Sequence, residues 1–191
     1  MIAPTVIRAD ELPAQSWRNG GGRTRELLTR SAGERDWRLR ISLAEVDRNG
    51  PFSAFPGIER WFAVIDGAGV RLSLDGREQS LRPGHEPIHF RGELPVFCSL
   101  LDGPTTDLNL MHAGGRAAMA RAQSGVPWSS PLPQRGLFTR TPGRWHVAGR
   151  PSVPLAAHCL LWLDRATDAA WDFIADSPSA TAPALWLGFE P

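Results

Sequence analysis

Turn-forming residues recur along the chain at short intervals, and this spacing limits the folds that the chain can adopt. The 191 residues include 17 prolines and 19 glycines, often in turn pairs such as Pro56-Gly57, Asp75-Gly76 and Pro83-Gly84. Proline presets φ and glycine accepts positive φ, so these pairs end regular structure. Short apolar or alternating runs lie between them. Strands that recur about every 8 to 12 residues predict a sandwich or barrel.

Two strand-rich halves follow from this pattern, and we predict an all-β fold. The segment 116–123 (RAAMARAQ) has helical propensity and is predicted to be a short helical connector. The segment 126–134 (VPWSSPLPQ) is rich in proline and serine and predicts the crossing to a second unit. We therefore predict two small β-barrels packed together, at residues 1–124 and 125–191. The predicted strands include 6–7, 25–30, 37–46, 61–65, 70–74, 78–81, 88–92, 95–101, 108–111, 136–140, 145–147, 155–163, 170–173 and 185–189.

The balance of charge argues against several kinds of partner. Basic and acidic residues number 21 and 20, so neither nucleic acid nor an anionic membrane is predicted as a partner. No residue is a lysine, which excludes Schiff-base chemistry. The first residues lack the basic region and following apolar region of a secretory signal peptide. No apolar stretch approaches the length needed to span a membrane. We expect a cytoplasmic protein, and a homodimer is left open.

No sequence pattern indicates a metal or cofactor. His85 and His89 are four residues apart, but Pro83 and Pro87 exclude the helix that would bring them to one face. Gly20-Gly21-Gly22 lacks the lysine of a phosphate-binding loop. We predict no cofactor and no metal ligands.

The surroundings of the two cysteines do not indicate a reactive thiol. Cys98 and Cys159 lie in apolar segments, so buried free thiols are predicted rather than a nucleophile or a disulfide.

The stretch 49–61 (NGPFSAFPGIERW) contains the most informative charged residue. Its turns exclude a helix, and Arg60 lies between Pro56-Gly57 and Trp61-Phe62. A guanidinium in these surroundings is predicted to be partly desolvated and to need an anionic partner. Either a protein carboxylate, Glu59 or Glu26, or a bound small carboxylate could provide it.

Two other groups of polar residues could complete such a site. The glycines at 20–22 free backbone N–H groups that can bind a carboxylate, and Asn19, Arg23 and Thr24 add side-chain donors. On candidate strands, Arg40 and Glu26 could form an inward polar set, whereas Arg38 is predicted to be solvated. Alternation along residues 107–111 places Asp107, Asn109 and Met111 on one face.

Three segments together resemble the HutD/Ves family: WRNGGGRTREL at 17–27, WRLRISLAEVDRNGPFSAFPGIER at 37–60, and DLNLM at 107–111. They cover about the first 110 residues, and no motif matches after residue 126. The resemblance implies a cupin-like fold, a bicupin of two linked barrels, without a metal-dependent activity. It also implies a regulatory or flux-limiting role in histidine utilisation, with N-formylglutamate or a related carboxylate as ligand and Arg60 as its contact.

Three functional hypotheses follow. The first is a non-enzymatic protein that binds a small, formylglutamate-like carboxylate. The second is a metal-independent enzyme with Glu26 as general base in an apolar barrel, acting on an amino-acid-derived or sugar-like substrate. The third is an interaction module with exposed tryptophans. For the first, the predicted ligand-binding residues are Arg60, Asn19, Thr24, Glu26, Ser42, Phe55 and Asn109.

Overall fold

Alternating apolar residues and frequent turns produce strands through most of the chain. A computed structural model describes residues 3–32, 35–165, 168–177 and 182–191. No α-helix occurs in these ranges, and no helical segment within them is long and apolar enough to cross a bilayer. One turn of 3-10 helix lies at Ala9–Glu11. The strands are β1 Thr5–Arg8, β2 Gln15–Ser16, β3 Gly22–Ala32, β4 Arg35–Val46, β5 Gly50–Pro51, β6 Glu59–Asp66, β7 Val70–Leu74, β8 Arg77–Leu81, β9 Ile88–Arg91, β10 Val96–Leu100, β11 Thr105–His112, β12 Arg116–Ala122, β13 Gln134–Thr139, β14 Gly143–Val147, β15 Val153–Leu155, β16 Cys159–Leu163, β17 Trp171–Ala175 and β18 Ala184–Glu190.

The unit Leu12–Gly114 contains two antiparallel sheets. One has the strand order β2-β3-β4-β11-β6-β9, and the other has the order β5-β10-β7-β8. Both sheets contribute to one apolar core, for example Phe62 and Val64 from β6 with Leu72 from β7 and Cys98 from β10. Burial of these side chains is the main favourable term for the unit.

The unit formed by Met1–Glu11 and Gly115–Pro191 also contains two sheets. Their orders are β1-β16-β13-β18-β12 and β15-β14-β17. Trp145, Trp171 and Trp186 form much of the core, and Trp128 stacks on Trp186 with ring centroids 4.9 Å apart. These tryptophans pack inside the unit, so they do not form the exposed patch that an interaction module would need.

The helical connector predicted at 116–123 is wrong, because Arg116–Ala122 forms β12. All seven of its residues pair with β18, from Arg116 opposite Glu190 to Ala122 opposite Ala184. Alanine favours helix only weakly, and pairing with a long neighbouring strand overrides that local preference. The compact units also differ from the predicted ranges 1–124 and 125–191, since β1 pairs with β16 and β12 pairs with β18.

A second local difference concerns the predicted strand 155–163, which is two strands. β15 ends at Leu155 and β16 begins at Cys159, with His158 between them at a φ of 55°. Thr139 holds this turn: its Oγ1 donates to the Ala156 carbonyl at 2.6 Å and accepts from the Cys159 N–H at 3.0 Å.

Two further predictions concern the cysteines and the first hairpin. Cys98 and Cys159 are buried free thiols, as predicted. The hairpin predicted around residues 31–36 is present as the antiparallel pair of β3 and β4, and residues 33–34 at its tip lie outside the described ranges.

Candidate functional site

A cavity of about 450 Å³ lies in the unit Leu12–Gly114. Its volume is within the range of small-molecule binding pockets, about 300–1,000 Å³. The lining combines residues of β2, β3, β4, β5, β6 and β11 with residues of two loops, 17–19 and 52–55. Six of the seven predicted ligand-binding residues are among those that line it, and Glu26 is not. The lining residues are Gln15, Ser16, Trp17, Arg18, Asn19, Thr24, Arg40, Ser42, Ala44, Pro51, Phe52, Ser53, Phe55, Arg60, Asn109 and Met111.

Arg60 is the buried cation of this cavity, with only 8% of its surface exposed. It lies on β6, directly across from Met111 on β11. Its Nε and Nη2 donate to Asn109 Oδ1 at 2.8 and 2.6 Å, and the guanidinium carbon is 4.3 Å from the centroid of the Phe52 ring. Nη1 donates to no described residue. The amide and the aromatic ring thus hold the guanidinium in place and leave donor capacity free.

Neither protein carboxylate considered as a partner for Arg60 contacts it. Glu59 Oε2 lies 2.9 Å from His89 Nε2, and Glu26 Oε2 accepts a hydrogen bond from Arg40 Nε at 2.9 Å. Among the described residues, no carboxylate lies within ion-pair distance of Arg60. Burial lowers the pKa of Arg60 to about 10, while the nearby Asp107 opposes that shift. The guanidinium is therefore charged at neutral pH and has no ion-pair partner in the described chain.

Asp107 on β11 is the carboxyl that favours the charged form of Arg60. It is fully buried, its Oδ2 accepts a hydrogen bond from Thr105 at 3.3 Å, and its Oδ1 has no hydrogen-bond partner. Burial raises the pKa of Asp107 to about 7, although Thr105 and Arg60 both lower it. Asn109 and Met111 line the cavity as their shared face predicts, whereas Asp107 is not part of the lining. The carboxyl of Asp107 acts on Arg60 through its charge.

The glycine loop is closed by its own hydrogen bonds. The Trp17 N–H donates to the Gly22 carbonyl at 2.9 Å, and the Gly20 N–H donates to the Trp17 carbonyl at 3.0 Å. The Gly21 N–H donates to Asn19 Oδ1 at 3.0 Å. These groups are not free for a ligand, so the prediction of a backbone carboxylate cradle is wrong for Gly20 and Gly21.

Side chains of the same loop still contribute to the cavity. Asn19 and Thr24 line the cavity. Trp17 Nε1 donates to Thr24 Oγ1 at 2.7 Å, and this hydrogen bond fixes the side chains of Trp17 and Thr24. Arg23, the third predicted donor, forms an ion pair with Glu45 instead. Arg38 is exposed, as predicted for a solvated strand face.

Glu26 is not among the lining residues, although Ser42, its partner on β4, is. The pairing with β4 shifts between Glu26 and Leu28, so Leu27 and Leu28 are both buried and alternation fails at this point. Glu26 is exposed and paired with Arg40 rather than held in an apolar interior. The desolvated general base required by the enzyme hypothesis is not present at this position.

The Glu26–Arg40 pair predicts a small mutational effect. Glu26→Gln is expected to change the free energy of unfolding by less than about 0.5 kcal/mol, because an exposed ion pair contributes little. Urea denaturation measures this, with Glu78→Gln as a control on another exposed pair, Arg71–Glu78. A loss above about 1.5 kcal/mol in Glu26→Gln alone would mean that Glu26 is desolvated.

Several lining residues were not identified from the sequence. Phe52 and Ser53 lie in the turn-rich stretch 49–61, close to Phe55, which was predicted to bind the ligand. That proximity is the sequence feature that could have identified them as lining residues. Arg18 directly precedes Asn19, but an isolated arginine in a loop resembles any surface arginine. Within the described ranges, no group of three or more histidine, cysteine, aspartate or glutamate side chains is arranged to hold a metal ion.

The fold and the cavity define the class of protein. HutD from Pseudomonas fluorescens SBW25, determined in a formate condition, superposes with a TM-score of 0.81 and 28% identity, over 99% of this chain and 100% of that one. With two antiparallel sheets in each unit, the chain is an all-β protein of cupin-like fold, and the predicted fold class is confirmed.

Comparison of the sequence with family models assigns the chain to a protein family. The family model described as HutD matches residues 9–181, and the chain belongs to the HutD family. An uncharacterized 21.2 kDa protein in the hutC 3' region of Pseudomonas putida is 39% identical over 115 residues, which are 58% of this chain and 59% of that protein. Protein Ves of Citrobacter koseri is 36% identical over 102 residues, or 53% of each chain. These matches span about half to three fifths of the relatives' lengths.

Proposed function

We propose that the protein is a non-enzymatic binding protein for a small carboxylate, with N-formylglutamate or a related intermediate as the ligand. Its role is regulatory or flux-limiting in histidine utilisation. The observation that carries the proposal is Arg60, a buried cation that borders a cavity, is oriented by Asn109 and has no ion-pair partner among the described residues. A carboxylate in the cavity supplies the missing charge and accepts from the free guanidinium nitrogen.

The composition of the lining supports an anionic ligand. Three arginines border the cavity, and none of the described lining residues carries a carboxylate. Asn19, Thr24 and Ser42 add polar groups that can orient a ligand, and Phe52 and Phe55 add apolar surface. A few placed polar groups in a partly apolar concave site are typical of small-molecule pockets.

The relatives support the choice of ligand class and pathway. One related protein is encoded in a hutC 3' region, and the structure of HutD from P. fluorescens was determined in a formate condition. Formate is the smallest carboxylate, and a formyl group shares its carbonyl chemistry. We take both facts as support for an N-formyl carboxylate as the ligand.

The test is binding of N-formylglutamate and formate to wild type and to Arg60→Ala. Ligand at 100 times its dissociation constant is expected to stabilise the wild type by about 2.7 kcal/mol, which raises the melting temperature by about 5–10 °C. Arg60→Ala is expected to weaken binding at least about thirtyfold, because truncation of a buried charged contact costs about 2–5 kcal/mol. Isothermal titration calorimetry gives the dissociation constants.

Two controls make this test specific. Arg71→Ala removes an exposed arginine from the same unit and is expected to leave binding unchanged. Arg60→Met keeps most of the side-chain volume and serves if the alanine variant fails to fold. Equal stabilisation of wild type and both Arg60 variants by the ligands would refute the proposal.

A further inference from the structure

The three arginines that line the cavity differ in how their charges are balanced. Arg40 is paired with Glu26, so its charge is largely compensated. Arg60 is buried and bonded only to the neutral amide of Asn109. Arg18 is exposed and forms no ion pair or hydrogen bond with a described residue. Two arginines without an ion-pair partner among the described residues therefore border one cavity, one buried and one exposed to solvent.

The backbone that carries Arg18 is held in a defined position. The Gly20 N–H donates to the Trp17 carbonyl at 3.0 Å, so Arg18 is the second residue of a tight turn. The Gly21 N–H caps the loop by donating to Asn19 Oδ1, and the Asp47 N–H donates to the Gly21 carbonyl at 2.9 Å. A turn fixed at both ends leaves only the arginine side chain to be ordered by a ligand, which reduces the entropic cost of binding.

We propose that Arg18 forms a second anion subsite at the exposed side of the cavity, so that the site selects dicarboxylates over monocarboxylates. This inference rests on the proposed function, with Arg60 as the anchor for the first carboxylate. The cavity of about 450 Å³ is much larger than one carboxylate group needs. A ligand with two carboxylates meets both unpaired cations.

The energetic contribution of the two subsites differs with their exposure. Arg60 acts where water is largely excluded, so it supplies most of the affinity for any carboxylate. Arg18 acts in solvent, where an ion pair changes an equilibrium by at most about fivefold and is screened by salt. The second subsite is therefore a determinant of selectivity between ligands rather than the main source of binding.

The experiment compares glutarate with butyrate by isothermal titration calorimetry, since butyrate lacks the second carboxylate. Wild type is expected to bind glutarate about fivefold more tightly than butyrate at low salt. Arg18→Ala is expected to remove this preference by weakening glutarate alone. At 0.5 M sodium chloride the preference of wild type is expected to shrink towards that of Arg18→Ala.

Arg48→Ala is the matched control, because Arg48 is also exposed in the same unit but is not part of the lining. It removes the same net charge and is expected to keep the preference for glutarate. The inference is overturned if wild type binds the two acids equally, or if Arg18→Ala weakens both equally, and the proposed function survives either result. If wild type binds no carboxylate in an Arg60-dependent way, the proposed function fails as well.

Discussion

Between pH 5 and pH 8 the wild-type protein is expected to lose about 2–3 kcal/mol of unfolding free energy that Asp107→Asn does not lose. Burial raises the pKa of Asp107 from 3.8 to about 7. From about pH 4 to pH 7 the folded state keeps the proton on Asp107, whereas the unfolded state has released it. Because the folded state binds more protons in this range, its stability falls as the pH rises, and the loss is complete above pH 7.

The surroundings of Asp107 explain the size of the expected effect. The carboxyl is fully buried, one of its oxygens has no hydrogen-bond partner, and Thr105 is 3.3 Å from the other. Arg60 is the charged group that favours ionisation of Asp107. Burial also raises the pKa of the neighbouring Cys98 to about 12, so that thiol stays neutral. Asparagine has the same shape and no titrating proton, and it removes this dependence on pH.

The measurement is urea denaturation of wild type and Asp107→Asn at pH 5, 6, 7 and 8. Other groups titrate equally in both proteins, so the difference between the two curves isolates Asp107. Asp75→Asn is the control: Asp75 is exposed in a turn at a φ of 47°, which asparagine also tolerates. Parallel curves for wild type and Asp107→Asn would contradict the expected result.

Most strands could be predicted because their signals are local. Alternation along residues 37–46 and the turn residues on either side of residues 70–74 predicted β4 and β7 to within two residues of their observed ends. The error at Arg116–Ala122 arose where the deciding interaction is not local. Alanine and arginine favour helix over a short window, but the partner strand β18 lies almost 70 residues later in the chain.

The same distinction applies to the site. The residues around Arg60 predicted a desolvated guanidinium, and it is buried against Phe52. Its bond to Asn109 depends on the register of β6 against β11, which the sequence does not display. Glu26 was included in the site as a polar neighbour of Arg40 on an adjacent candidate strand. The two residues do pair, but Glu26 is exposed and lies outside the cavity lining.

Gly22→Ala is expected to destabilise the protein by about 2–4 kcal/mol and to disorganise the loop that carries Arg18 and Asn19. A Cβ at Gly22 would lie 2.2 Å from the Glu45 carbonyl oxygen and 3.1 Å from the Trp17 ring. The oxygen belongs to the backbone of β4, where Gly22 pairs with Val46, so the overlap cannot be relieved by a side-chain rotation. The sequence showed only that three glycines allow close approach; the structure identifies Gly22 as the one that needs it.

Urea denaturation measures the stability of Gly22→Ala, and calorimetry with glutarate measures its binding. Gly50→Ala is the control, because no heavy atom lies within 4 Å of a Cβ at Gly50 and its φ is not positive. Arg60 lies on β6 and is oriented from β11, so it does not depend on the loop. At a temperature where the variant is folded, we therefore expect butyrate binding to persist while the preference for glutarate is lost. Unchanged stability in Gly22→Ala would mean that β3 and β4 can separate at Gly22 without cost.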